Sequence, residues 1–264
     1  VSGSPPRVLV TRPRAQARAW AEALRAHGLD AGAVPLIEIG PAPDAHAVPQ
    51  AWAGLADRRL VVFVSANAAQ AFFAQAPAGA VWPRGVRAAA TGPGTVEALC
   101  ALGVPGEAID APPRESARFD SEALWAQLDA HDWRGARILV VRGEDGRDWL
   151  GERFGARGAS VEHVASYRRL PPALEADEEA RLRAATSAPA RHLWLFSSSE
   201  AIDNLDALVS GDPERHRAAP WPASTALATH PRIADAARRV GFGAVHECRA
   251  TLADVVACIQ SIRP

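Results

Sequence analysis

The side chains able to do chemistry in this chain are hydroxyls, arginines and one phenol, gathered where short apolar runs end. Tyr167 is the only tyrosine. A phenol is neutral near pH 7 and can donate a proton or a hydrogen bond to a departing hydroxyl, although a tyrosine in a short strand also serves as packing. Thr11 and Arg12 follow Val8-Leu9-Val10, Ser65 and Asn67 follow Val61 to Val64, and Gly92 to Thr95 follow Ala88 to Thr91. Arg142 and Gly143 follow Ile138 to Val141, Ser197 and Ser198 follow Leu193 to Phe196, and Thr229 and His230 follow Thr225 to Ala228. Each group introduces a helix start, where unpaired N–H groups and the positive end of the helix dipole suit an anion. Capping alone accounts for Ser65, Ser197 or Thr229 taken singly, and Gly92 and Gly94 could simply permit a tight turn. Recurrence of the same chemistry at successive strand ends argues for a binding rim.

Other chemistries drop out. All 29 basic residues are arginine, so a Schiff-base lysine, a P-loop lysine and a lysine general base are excluded. The eight histidines form no HExxH pattern, and His230 reads as a capping or surface residue. No GxSxG elbow is present, and Gly92-Pro93-Gly94-Thr95 lacks the remaining glycines of a nucleotide loop. A formal charge of −1 gives no field directed at nucleic acid or a membrane, and aromatic residues do not interleave with basic clusters. Cys100, Cys248 and Cys258 lie far apart without metal-ligand spacing, which points to a reducing compartment. Val1 to Arg7 lacks a signal-peptide pattern and no apolar run reaches the length of a membrane span, so the expectation is a cytoplasmic protein.

The elements that must position these residues are strand–loop–helix blocks, predicting an α/β protein with parallel sheets whose ligands sit beyond the strands' carboxyl ends. The blocks repeat. Val8 to Val10, with Thr11-Arg12-Pro13 and a helix stopping near Gly28, returns 130 positions later as Ile138 to Val141, with a helix stopping near Gly158. Val61 to Val64 with Ser65 returns after 132 positions as Leu193 to Phe196 with Ser197, and Thr91 before Pro93 returns after 138 as Thr229 before Pro231. Three blocks in one order at nearly constant separation indicate an internal duplication. A length of 264 residues, 48% hydrophobic and 22% charged, suits two ordered domains. Each would carry a rim, and the two could close on an anionic ligand. Pro35 to Pro41 and Val164 to Pro172 read as connectors, with the acidic stretch through Glu179 as a solvated linker opening the next element. Residues 111–120 read as an exposed loop, with Asp120 or Ser121 capping the following helix.

The motifs VLVTRP (Val8 to Pro13), FVSAN (Phe63 to Asn67), ATGPGTVEAL (Ala90 to Leu99) and ILVVRGEDGR (Ile138 to Arg147) occur in this order, followed by GASVEHVASYR (Gly158 to Arg168), FSSS (Phe196 to Ser199) and ATHPRIADAA (Ala228 to Ala237). In order and spacing, from Val8 to about Gly243, the chain resembles the uroporphyrinogen-III synthase family. The resemblance implies an α/β fold of two similar parallel-sheet domains, flavodoxin-like or HemD-like, joined by a two-stranded linker. One domain would comprise residues 1–37 with 170–264, the inserted one 42–163, and the linkers 38–41 and 164–169. It implies cyclisation of hydroxymethylbilane to uroporphyrinogen III with inversion of ring D and loss of water, in haem and sirohaem biosynthesis, without cofactor or metal. The implied course runs from departure of the terminal hydroxyl through an azafulvene to a spiro pyrrolenine, which fragments and recloses.

Carried over residue by residue, Tyr167 matches the family tyrosine proposed to assist hydroxyl departure, and Thr95 a threonine starting a cleft helix. Arg12, Ser65, Asn67, Gly92, Arg142, Gly143, Ser197, Ser198 and Thr229 are the implied substrate-binding positions. Thr229-His230-Pro231-Arg232 departs from the glycine and threonines that many members carry there, which weakens any role for His230 while Arg232 could add a positive contact. The implied partner is the bilane alone, with no nucleic acid and no membrane, for a monomer that takes its substrate in a functional hand-off from hydroxymethylbilane synthase. Two other readings stay open on the residues: a non-catalytic two-lobed protein closing on a small anion, and a nucleotide-sugar transferase with twin α/β domains, for which Asp145 and Asp148 are a poor metal signal.

Overall fold

The structure, a computed structural model, describes residues 6–146, 148–211 and 220–262; Arg147, the last residue of ILVVRGEDGR, lies outside the described residues. In chain order the elements are β1 (Arg7–Val10), α1 (Arg14–Ala26), β2 (Ala31–Ala33), β3 (Glu38–Gly40), α2 (Ala47–Ala53), β4 (Leu60–Phe63), α3 (Ala66–Phe73), β5 (Arg87–Ala90) and α4 (Pro93–Ala101). There follow β6 (Ile109–Asp110), α5 (Ser121–Leu128), β7 (Arg137–Gly143), α6 (Trp149–Ala156) and β8 (Ser160–Leu170). The chain continues through α7 (Ala176–Ser187), β9 (His192–Phe196), α8 (Ser199–Ser210), β10 (Thr225–Ala228), α9 (Pro231–Val240), β11 (Ala244–Glu247) and α10 (Leu252–Ser261).

These elements form two compact units, Val1–Glu38 with Leu170–Pro264, and Ile39–Arg169. The first unit has a five-stranded sheet in the order β11-β10-β9-β1-β2. The second has six strands in the order β3-β8-β7-β4-β5-β6. The neighbours from β11 to β2 and from β8 to β6 pair in parallel, so the fold is α/β with two predominantly parallel sheets. The sequence repeat is visible in these orders. Replacing β7, β8, β4, β5 and β6 by β1, β2, β9, β10 and β11 converts the second order, without β3, into the first. Each sheet therefore joins the opening half of one repeat to the closing half of the other.

Local sequence explains the elements. Helix α1 starts after Pro13 in extended backbone and buries Ala17, Ala21 and Leu24, one stripe of a 3.6-residue period. It and α6 give way to Gly28 (φ 78°) and Gly158 (φ 81°), left-handed positions that favour glycine. Asp120 caps α5, accepting the Ala123 N–H at 2.8 Å, as the sequence suggested. In the second unit, β7 alternates: Leu139 and Val141 pack with Val61, Phe63 and Phe72 on one face, and Ile138 and Val140 with Leu124, Leu150 and Phe154 on the other. In the first unit, Val8, Val10, Leu24, Leu195 and Val255 form a core on one face of the sheet.

Residues 164–169, read as a β-like connector, form the end of the eleven-residue strand β8, in which Val164 and Tyr167 belong to a core. One expectation changes. The acidic stretch through Glu179 is not a solvated linker. It starts α7 with a reciprocal capping box between Glu175 and Glu178, and Glu178 is only 1% exposed because Arg14 of α1 pairs with it at 3.0 Å. The pairing partner is 164 residues away, so no local pattern announces it.

Candidate functional site

In the second unit β7, β4 and β5 are adjacent, so their carboxyl ends bring the predicted residues onto one rim. Ser65 adopts extended backbone beyond β4, and its Oγ accepts the Ala68 N–H at 3.1 Å, capping α3 as expected. Asn67 is half-buried on the first turn of α3. Beyond β5, the Thr91 hydroxyl donates to Val64 O at 3.1 Å and ties the two strand ends together. Gly92 begins α4 in extended backbone (φ −173°), a conformation open to any residue, but a Cβ there would stand 3.0 Å from the Phe119 Cβ. Thr95 lies on the first turn of α4, 6% exposed, with its N–H donating to Gly92 O at 3.0 Å. Arg142 folds over the turn after β7, its Nη1 donating to Gly146 O at 2.7 Å.

Tyr167 joins this rim from β8. The ring packs in the core with Phe63, Val141 and Val164 and is 1% exposed. Its hydroxyl faces the Ser65 hydroxyl at 3.4 Å. Gly143 makes this possible, because a Cβ at that position would lie 3.0 Å from Tyr167 Cζ and 3.2 Å from the hydroxyl oxygen. Gly143 thus clears space for the phenol, a role that sequence reading did not separate from ligand binding.

In the first unit the equivalent rim carries a cation. Thr11 is buried, and its hydroxyl donates to Leu195 O at 2.8 Å, joining β1 to β9. Arg12 follows, half-buried, with its guanidinium 4.2 Å from the centre of the Trp20 ring. Its Nε has no hydrogen-bond partner, and among the described residues no carboxylate pairs with it. Burial lowers the Arg12 pKa from 12.5 to about 10, with neighbouring Cys248 opposing the shift slightly. Burial likewise pushes the Cys248 thiol up to about 12, with Cys258 and Asp254 adding to the effect. A partly dehydrated guanidinium whose Nε lacks a partner is chemically suited to an anion.

Ser197 and Ser198 are half-buried between β9 and α8, but the cap position is Ser198 and its side chain makes no cap bond. Thr229, expected as a cap, instead uses its backbone N–H to bond Phe196 O at 3.1 Å. His230 is the cap of α9, its Nδ1 accepting the Arg232 N–H at 3.1 Å. Pro231 forces the preceding residue into extended backbone, which moves the cap one place along. Sequence reading missed Trp20, Cys248 and Phe119, because each reaches the rim from a different element. The carboxylates of Glu175, Asp177 and Glu178 lie within 4.8 Å of one another, but Arg14, Arg18 and Arg181 already pair with them. Among the described residues no helix is long and apolar enough to cross a membrane.

The family model for uroporphyrinogen-III synthase HemD matches residues 18–257. The uroporphyrinogen-III synthase of Salmonella typhimurium is 34% identical over 174 residues, 66% of this chain and 69% of that protein. That of Escherichia coli is 29% identical over 238 residues, 89% and 92% of the two chains. Two solved uroporphyrinogen III synthases share the fold. The Helicobacter pylori structure has a TM-score of 0.59 at 13% identity over 98% of this chain and 100% of that one. A Thermus thermophilus structure has a TM-score of 0.56 at 19% identity over 97% and 96%. A match over most of the length, on a fold whose strand ends collect the predicted rim, places the chain in the uroporphyrinogen-III synthase family.

Proposed function

We propose that this chain cyclises hydroxymethylbilane to uroporphyrinogen III, inverting the last pyrrole ring with loss of water, and that the second unit's rim carries the chemistry. The observation supporting this division is the hydroxyl pair Ser65 and Tyr167, 3.4 Å apart, beside a glycine that leaves room for the phenol. Departure of the terminal hydroxyl requires a proton on that oxygen, while the pyrrole nitrogen supplies the electron pair. The C–O bond breaks, water leaves and a protonated azafulvene (an azafulvenium cation, its pyrrole nitrogen keeping its hydrogen) forms. Tyr167 is 1% exposed, so Ser65, half-buried at the rim, meets the leaving oxygen and Tyr167 replaces the proton that Ser65 gives. Attack through the substituted carbon of the last ring gives a spiro pyrrolenine, which fragments and recloses. Rearomatisation releases one proton, which restores the pair. Thr95, on the first turn of α4, is a second donor in this reading.

The substrate is rich in carboxylates, and the first unit is suited to hold them. Arg12 receives one, exchanging a stacked, partnerless state for a charge-assisted hydrogen bond. The helix starts at Ser198 and His230 in the same unit, and those at Ser65 and Gly92 in the second, offer backbone N–H groups to others. Asn67, Arg142, Ser197 and Thr229 complete the contacts. The reading extends to a monomer working in the cytoplasm, in keeping with three free thiols, and receiving the bilane directly from the synthase that makes it. A short transit suits a substrate that closes spontaneously to the un-inverted isomer. With freshly generated hydroxymethylbilane, oxidised products should contain the III isomer in excess over the I isomer. Product matching the spontaneous closure would overturn the assignment.

A further inference from the structure

Tyr167 reaches Ser65 only because β8 carries one extra residue. The β7–β8 register runs without interruption from Arg137↔Ser160 to Arg142↔Ala165 and then jumps to Gly143↔Tyr167, leaving Ser166 opposite no partner. Along β8, Val161 and His163 face the side of the sheet that holds α6, as His163 contacts Asp148 at 2.5 Å. Val164 and Ser166 face the side that holds α3. Strict alternation would place Tyr167 with His163 and Ala165, turned away from Ser65. The bulge reverses the parity, and Tyr167 lies beside Val164 and Phe63 on the α3 side. Bulges are uncommon in parallel pairs, and the bulged residue here is fixed at both ends. Ser166 is 1% exposed, and its hydroxyl lies 3.1 Å from Ala68 O in α3 and 3.4 Å from Arg142 O in β7. The same α3 turn is capped by Ser65.

We infer that Ser166 is a positioning residue for the reaction: its hydroxyl pins the bulge to α3 and so aims the Tyr167 hydroxyl at Ser65. The inference rests on the proton-donor reading of Tyr167 given above. Since Tyr167 is the only tyrosine, a protein labelled with carbon-13 at tyrosine Cζ gives a single resonance reporting this one hydroxyl. Ser166→Ala should shift or split that resonance and lower kcat about fivefold with KM changed by less than about twofold. Combined with Tyr167→Phe, it should lower kcat no further, because both changes act on one proton donor. Ser166→Cys keeps the volume with a weaker hydrogen bond and provides the same readings if the alanine variant does not fold. Ser224→Ala, which removes an equally buried serine bonded to Pro220 O in the first unit, should leave resonance and rate alone. An unmoved resonance in the Ser166 variants, or a kcat loss that persists in the Tyr167→Phe background, overturns the inference. A shifted resonance with Tyr167→Phe fully active instead removes Tyr167 from the reaction, and the claim that Ser166 serves catalysis falls with it.

Discussion

The two rims are built from the same repeat and end in different chemistry. Both use a threonine hydroxyl to tie neighbouring strand ends, Thr91 to Val64 O in the second unit and Thr11 to Leu195 O in the first. Arg142 and Arg12 occupy equivalent positions 130 residues apart, yet they behave differently. Arg142 bonds the turn after its own strand, because Gly143 to Gly146 folds back beneath it. Arg12 meets Pro13 and a helix start instead; among the described residues its Nε has no hydrogen-bond partner, and its guanidinium lies on Trp20. One rim has a phenol–serine pair and a satisfied arginine; the other has an unsatisfied arginine and no tyrosine. Duplication supplied two similar scaffolds, and small changes after one strand left them with different side-chain surroundings.

That contrast can be broken by mutation. The largest expected effect is at Tyr167. Tyr167→Phe should lower kcat about 10²-fold, the low end for a positioned general acid, since the pyrroles supply most of the driving force. Its melting temperature should stay near that of the parent; unfolding would assign Tyr167 to packing alone. Next is Gly143→Ala, whose Cβ must displace the phenol from 3.0 Å contact. It should lower kcat about tenfold while moving KM little, because misplacement of the donor costs rate before binding. Arg12→Gln should raise KM about tenfold at nearly unchanged kcat, as expected for loss of one charged hydrogen bond. Burial already holds Arg12 near pKa 10, so in the parent protein KM should also climb as pH rises through 10 and the cation is lost. The smallest test reads only the surroundings of Arg12. A thiol pushed up to about 12 stays protonated at pH 9, so Cys248 should alkylate at least about tenfold more slowly there than exposed Cys100, and react as pH approaches 12. Equal labelling of the two peptides by mass spectrometry would remove the apolar seat inferred for Arg12.

How far the sequence reveals this can be traced residue by residue. Strand ends at Val10 and Phe196, and to within a residue at Val64, were legible because short apolar runs stop at hydroxyl, glycine or arginine residues and three such blocks recur in order, whereas β7 runs two residues past Val141 to Gly143. Ser65 was legible as a cap because capping is a local act between a side chain and an N–H three residues on. His230 was legible as a capping or surface residue, but Thr229 read equally well as the cap of the same helix, and only the proline's effect on its neighbour decides between them. Glu178 reads as a surface charge until an arginine of α1 is folded against it. The bulge at Ser166 leaves no trace in a strand pattern, because its signal is a register against β7, a property of two strands. Gly143 reads as a binding position at a strand end, whereas the contact it makes room for is the ring of a residue 24 positions later.

The division of labour between the rims is tested most directly by measuring initial rates of III-isomer formation across bilane concentrations for Tyr167→Phe and Arg12→Gln in parallel. The expected result is a fall in kcat confined to the first variant and a rise in KM confined to the second. A loss of kcat on removing Arg12 that equals the loss on removing the Tyr167 hydroxyl would contradict it.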